Sequence, residues 1–235
     1  MHPRTTFMSP ADYYHQVRDR FRDQGKHEVA EVQMWYMRHQ FDFFGLTMPQ
    51  WMALTREFHK ACGIPSGRDL RELVELCFED EHREMQYFAL ETLQKGMKKE
   101  PPECIDLLET LICRKSWWDT VDWIAKLTGM HFSRFPELIV PVTQRWMASG
   151  ELWLQRVSLI FQLRYKDKTD VELLFRYVQQ VSASKAFFLQ KAAGWALREY
   201  SKTDSEAVRR FVAANRLPAL TKREALKWLK KTGSL

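Results

Sequence analysis

A chain of 235 residues with 45% hydrophobic residues and a net charge of +6 can bury a sizeable core, which excludes global disorder. No apolar run reaches the roughly 18 to 20 residues needed to cross a bilayer, and the N-terminal residues lack the apolar centre of a signal peptide. We therefore expect a cytoplasmic protein. The cysteines show no C-x-x-C spacing, and no Asp/Glu/His group has ligand spacing, so we expect neither a metal nor a cofactor.

Helical periodicity runs through the chain, and only 9 Gly and 9 Pro interrupt it. The first predicted helix starts at Ser9 as N-cap, with Pro10 at the first helical position. A later predicted helix begins after Thr47 as N-cap. Near the end, Thr221 is followed three residues later by Glu224, which predicts a capping box at the start of the last helix.

Similar helical blocks recur along the sequence. They begin at Trp117, Trp153 and Phe188, with a weaker copy at Glu84, at spacings of 33, 36 and 35 residues. A period of this length is typical of helix-pair solenoids, in which neighbouring repeats bury each other's apolar faces. The sequence thus predicts an all-α helical-repeat fold forming one domain over residues 1–235.

The block at Trp117 contains acids beside large aromatic rings, where desolvation penalises a charge. Asp119 has a structural explanation, because it lies three residues after Ser116, a candidate N-cap. Asp122 has none, since it lies beyond the first turn and the next two repeats hold Ser and Ala at its position. Trp118 and Asp122 are four residues apart and share one helix face. They form a candidate site, and the alternative is a surface acid beside a packed Trp.

A second candidate site consists of Lys191, Trp195 and Arg198, which form a basic–aromatic–basic ridge at i, i+4 and i+7. Such a ridge suits phosphates that flank a stacked ring. The alternative is a core role for Trp195, because the repeat aligns it with isoleucines of the core stripe. Arg156 offers a bidentate fork to phosphate. The alternative to phosphate binding by Arg156 is a surface salt bridge with an acid such as Glu151.

Positive charge is concentrated near the C-terminus. Between Arg209 and Lys231 the sequence has eight basic residues, and its one acid is Glu224. A cluster of this kind favours a polyanion such as nucleic acid. A solvated helix face with no partner is the competing interpretation.

Three stretches together resemble one known family. SWWDTVD, ELWLQR…FQLRYK and FFLQKAAGWALREYSKT closely resemble the AlkD-type DNA glycosylases of the DNA alkylation-repair family, and the likeness runs from YMRHQFDFFG to LTKREALKWLK. The resemblance implies a C-shaped array of HEAT-like repeats with DNA along its concave basic face. It also implies base excision repair, in which the protein hydrolyses the N-glycosidic bond of positively charged purines of the 3-methyladenine and 7-methylguanine type.

The resemblance assigns roles to particular positions. The family's catalytic Asp falls on Asp122, and its phosphate-contacting Arg falls on Arg156. Its aromatic cleft falls on Trp118, Trp195 and Tyr36. The expected partner is double-stranded DNA that contains alkylated purines, bound by a monomer in the nucleoid.

Other classes of function compete with a glycosylase. A non-catalytic helical-repeat protein could bind DNA or RNA by shape and charge, but the presence of Asp122 with Trp118 argues against it. A protein-interaction scaffold is disfavoured by the basic C-terminal cluster. A metal-dependent nuclease would need a ligand cluster that the sequence does not show. One departure from the family is Thr47, which stands where the resemblance leads us to expect Gln, and we assign it no role.

Overall fold

The computed structural model describes residues 8–233, and these residues form an all-α fold with fourteen α-helices and a few short 3-10 turns. The helices are α1 (Pro10–Gln24), α2 (His27–Tyr36), α3 (Met48–Cys62), α4 (Gly67–Glu79), α5 (Arg83–Gly96), α6 (Cys104–Cys113), α7 (Trp118–Phe132), α8 (Ile139–Ala148), α9 (Leu152–Ile160), α10 (Val171–Gln180), α11 (Phe187–Tyr200), α12 (Ser205–Ala214), α13 (Ala219–Ala225) and α14 (Lys227–Thr232). None of these helices is long and apolar enough to span a membrane. The all-α prediction is confirmed.

Two of the predicted helix starts are confirmed. The Ser9 hydroxyl caps α1 by accepting from the backbone N–H of Asp12 at 3.1 Å, and Pro10 is the first helical residue. Thr47 is the N-cap of α3. There Gln50 Oε1 accepts both the backbone N–H and the hydroxyl of Thr47, at 2.9 and 2.7 Å. The residue that departs from the family pattern therefore has a structural role at a helix start.

The predicted capping box at Thr221 is wrong. Helix α13 begins two residues earlier, with Pro218 as its N-cap, so Thr221 lies inside the helix. Its hydroxyl donates to the carbonyl of Gln190 on α11 at 3.1 Å, and Glu224 also pairs with side chains of α11. The Thr-x-x-Glu pattern therefore serves helix–helix packing, because proline, with its fixed φ, already starts the helix.

The chain forms two compact units, residues 1–107 and 108–235. In the first unit, α1 packs on α3 and α4, and α5 packs on α3 and α4. The ring of Phe88 contacts the rings of Tyr13, Phe21 and Phe58. The single domain over 1–235 stays a prediction.

The second unit has the helix-pair arrangement that the sequence period predicts. Helices α7, α9, α11 and α13 pack in a row, each on the next, while α8, α10 and α12 pack against members of that row. The repeated positions meet in one aromatic cluster: the ring centroids of Trp117 and Trp153 are 6.1 Å apart, and Phe188 lies 5.3 and 4.9 Å from them. The repeat therefore reflects one shared aromatic contact, in which Trp153 is buried while Trp117, expected in the core, and Phe188 are half-buried.

Candidate active site

Helix α7 begins at Trp118 and places it one turn before Asp122. The predicted N-cap at Ser116 is wrong, because Trp117 occupies that position with extended backbone angles. The Ser116 hydroxyl instead donates to the carbonyl of Ile112 at 2.6 Å, which satisfies a free carbonyl near the end of α6. Asp119 lies in the first turn of α7, where an acid is favoured by the helix dipole.

The carboxylate of Asp122 is held by a two-point ion pair with Arg156 of α9. The Nε and Nη2 groups of Arg156 donate to the two Asp122 oxygens at 2.7 and 2.9 Å. The Nη1 group donates to the carbonyl of Phe188 at 2.7 Å, so a third helix fixes the guanidinium. Arg156 is only 3% exposed, whereas 19% of the Asp122 side chain remains open to solvent. The packing of α7, α9 and α11 thus orients one partly accessible carboxylate.

Opposing effects act on the pKa of Asp122. Burial raises it, and the nearby charge of Asp119 adds to the rise. The hydrogen bonds and charge of Arg156 act in the opposite direction, yet the net result is a pKa above the ordinary Asp value. Arg156 therefore favours the ionised form of Asp122 and offsets part of the effect of burial.

A cleft of about 490 Å³ surrounds this ion pair. It brings together every predicted site residue of the second unit. Its lining consists of Trp118, Asp122, Arg156, Phe187, Phe188, Lys191, Trp195, Arg198, Glu224 and Lys227. The cleft combines aromatic rings, cations and a carboxylate, which can respectively stack on a ring, bind phosphate and stabilise a positive charge.

Trp195 differs from its repeat equivalents in burial. Ile124 and Ile160 are 0% and 1% exposed, whereas Trp195 is half-buried and lines the cleft. A second cleft of about 440 Å³ is also lined by Trp195 and Asp122. The ring is therefore placed between core and solvent, which suits a contact with a ligand better than the core role considered as its alternative.

The three predicted phosphate-binding side chains have different surroundings. Arg156 is buried and paired with Asp122, not with the acid Glu151 that the sequence suggested as an alternative. Lys191 and Arg198 are more exposed and both form ion pairs with Glu224, at 2.8 and 2.9 Å. Their contact with phosphate stays a prediction.

Four residues that line the cleft were not predicted as site residues: Phe187, Phe188, Glu224 and Lys227. For Glu224 the Thr-x-x-Glu pattern predicted a capping role, and no short-range signal in the sequence relates it to α11. Phe187 precedes the repeated block, and no periodic signal marks it. It is 58% exposed and lines the cleft, and an exposed apolar ring in a groove is typical of a binding surface.

Tyr36 is the one predicted site residue outside the second unit. It is the last residue of α2, in residues 1–107, and it is 62% exposed. Trp35 beside it is 73% exposed. The membership of Tyr36 in the aromatic cleft stays a prediction.

Comparison with known proteins gives a consistent picture. The family model for DNA alkylation repair enzymes matches residues 17–229. A solved structure titled as a predicted DNA alkylation repair enzyme from Enterococcus faecalis has 30% identity and a TM-score of 0.83, and the match covers 88% of this chain and 98% of that one. AlkD2 from Streptococcus mutans shares the fold with a TM-score of 0.64 at 14% identity, over 95% of this chain and 98% of that one. No curated protein matches the sequence significantly.

Proposed function

Because the chain belongs to the DNA alkylation repair enzyme family, we propose that it is a DNA glycosylase that hydrolyses the N-glycosidic bond of positively charged alkylated purines. The observation that carries this proposal is the partly exposed Asp122 carboxylate, fixed by Arg156 in a cleft that also contains Trp118 and Trp195. A protein that only binds DNA does not require a buried carboxylate in its binding cleft, where it repels phosphate.

The proposed reaction needs little acid catalysis. A purine alkylated on a ring nitrogen is cationic, and it leaves as a neutral base when it takes the electron pair of the glycosidic bond. The sugar then acquires positive character at C1′, and a water molecule adds its oxygen there and loses a proton. The ionised Asp122 would stabilise that developing charge and orient the water. This resembles the carboxylate role in sugar hydrolases, acting on a different bond.

The aromatic rings supply selectivity for a charged base. Trp118 and Trp195 would hold the cationic nucleotide by cation–π contacts, each worth up to about 2 kcal/mol when desolvated. Neutral purines gain no such energy, so a cleft of this kind discriminates by charge as well as by shape.

Phosphate contacts would supply most of the affinity for the duplex. Lys191 and Arg198 line the cleft with partly exposed cationic groups. Arg156 is almost fully buried and uses three of its five N–H donors on Asp122 and Phe188, so a phosphate would have to enter the cleft to reach the other two. Binding by a monomer to nucleoid DNA should therefore fall steeply with salt and depend little on sequence.

The direct test is incubation of the protein with duplex DNA that carries 7-methylguanine, with release of the free base as the readout. We expect release by the unmodified protein and a large loss in Asp122→Asn. The matched control is Asp119→Asn, which removes the same charge one turn earlier on α7. Binding to the duplex without any base release would reject the glycosylase and favour the non-catalytic repeat protein.

A further inference from the structure

We propose that Glu224 is a positioning residue of the cleft, which fixes Lys191 and Arg198 one turn before and one turn after Trp195 and partly neutralises them. This inference rests on the proposed glycosylase function. This arrangement would favour lesion-bearing over undamaged DNA. The fixed cations would position the phosphates next to a bound lesion, while their reduced net charge would limit binding to undamaged DNA.

The geometry shows one carboxylate shared by two cations. Lys191 Nζ donates to Glu224 Oε1 at 2.8 Å, and Arg198 Nη1 donates to Glu224 Oε2 at 2.9 Å. The Glu224 side chain is 8% exposed, whereas those of Lys191 and Arg198 are 40% and 25% exposed. The carboxylate of Glu224 is therefore nearly buried, while the two cations remain accessible to a ligand. All three side chains line the cleft together with Trp195.

The helices approach closely at this point because α11 has a glycine there. A Cβ atom at Gly194 would lie 2.6 Å from the Cβ of Glu224 and 2.8 Å from the carbonyl oxygen of Thr221. Thr221 also donates to the carbonyl of Gln190 on α11. The glycine and the threonine together let α13 pack near enough for Glu224 to reach both cations. Gly194, Thr221 and Glu224 therefore all contribute to the contact between α11 and α13.

Charge explains why an acid would be retained in a cleft for DNA. Two unpaired cations beside Trp195 would attract every phosphate, whether or not a lesion were present. With Glu224 the three side chains carry a net charge of +1 rather than +2. Lysine and arginine side chains also have many rotamers, and an ion pair fixes them before DNA arrives, which lowers the ordering cost of binding. Removal of the carboxylate should therefore strengthen unselective binding and slow the chemistry.

The test compares Glu224→Gln with the control Glu206→Gln, which removes the same charge from an exposed pair with Arg209 on α12. We expect Glu224→Gln to bind undamaged duplex about threefold more tightly at low salt. Under single-turnover conditions it should release 7-methylguanine roughly tenfold more slowly, because reacting groups lose their alignment. Glu206→Gln should change neither quantity appreciably.

A double-mutant cycle identifies the partners. In a Lys191→Met/Arg198→Met background, Glu224→Gln should have no further effect on binding or rate, because its action passes through those two cations. Effects that simply multiply, or a Glu224→Gln variant identical to Glu206→Gln, would overturn the proposal. Should Glu224→Gln not fold, Glu224→Asp replaces it. Its carboxylate is one methylene shorter, and we expect an intermediate rate, whereas a wild-type rate would count against positioning.

The two proposals can fail separately. If the unmodified protein releases no base, the proposed glycosylase activity is rejected. The binding measurements of the double-mutant cycle still decide whether Glu224 restrains the two cations. If the unmodified protein releases base and the cycle shows no coupling, only the role of Glu224 is rejected.

Discussion

Two acids, the fully buried Asp80 in the first unit and the partly exposed Asp122 in the second, show how differently one side chain can be used. Asp80 accepts hydrogen bonds from the Tyr14 hydroxyl at 2.6 Å, from Arg18 Nε at 2.7 Å and from the backbone N–H of His82 at 2.8 Å. Burial alone would raise its pKa, yet a hydrogen bond with the His82 imidazole at 3.0 Å, together with these bonds, holds the pKa well below the ordinary Asp range. Only 1% of its side chain is exposed.

Asp122 has one charged partner, retains solvent exposure and has a raised pKa. The difference indicates that a carboxylate surrounded by donors on all sides stabilises the fold, whereas one held from one side remains available to a ligand. Four substitutions test this comparison.

The largest effect should come from Asp122→Asn. The amide keeps the shape and loses the charge, so single-turnover release of 7-methylguanine should fall by roughly 10² or more. Affinity for lesion DNA should change far less, since the lost interaction belongs chiefly to the transition state. A parallel binding titration makes this distinction. An Asp122→Asn variant with full activity would place the catalytic group elsewhere.

Replacement of Arg156 by Met should slow release by roughly tenfold at neutral pH and alter the pH profile. Under the proposed mechanism base release needs ionised Asp122, so the rate should be highest above the raised pKa of that group and decline as pH falls through it. Without Arg156 that pKa rises further, and the acidic limb should move to higher pH. Rate profiles between pH 5 and 9 measure the shift. A loss of rate that is equal at every pH would mean that Arg156 does not act through Asp122.

Trp118→Ala should weaken selective capture of the cationic base rather than the chemical step. Loss of one cation–π contact of up to about 2 kcal/mol would lower affinity for lesion DNA by roughly tenfold or somewhat more. Binding to undamaged duplex should stay nearly constant. Competition between lesion-bearing and undamaged duplexes gives the ratio directly, and an unchanged ratio would remove Trp118 from the recognition surface.

The smallest effect on release, and a large effect on stability, should follow from Asp80→Asn. Loss of the buried ionic hydrogen bonds should cost about 3 kcal/mol and lower Tm by roughly 5–10 °C. Because the pKa of Asp80 is lowered on folding, its stabilisation is complete above the unfolded value near 4 and is lost as pH falls through the folded value. The difference in Tm between wild type and variant should therefore shrink at low pH. Equal Tm values at pH 7 would contradict the structural role.

The sequence by itself determined the fold class and most of the candidate site. Helical periodicity and the 33–36 residue spacing predict a helical repeat, because each helix must bury one apolar face against its neighbours. The acid at position 122 is conspicuous since no cap or core stripe explains it. Helix geometry alone places Trp118 on the same face, and it places Lys191, Trp195 and Arg198 on one ridge.

Only the tertiary structure decided which charges pair. Asp122 and Arg156 are 34 residues apart in the sequence, and Glu224 lies 33 and 26 residues from its two partners. The periodicity of a single helix relates only residues three or four positions apart, so it could not predict these ion pairs. Thr221 and Glu224 follow a local capping pattern, and the pattern misleads because the same two side chains can satisfy a neighbouring helix instead. Ion pairs between repeats depend on how closely helices pack, here on a glycine at 194, and that distance is set by the whole core rather than by any short stretch of sequence.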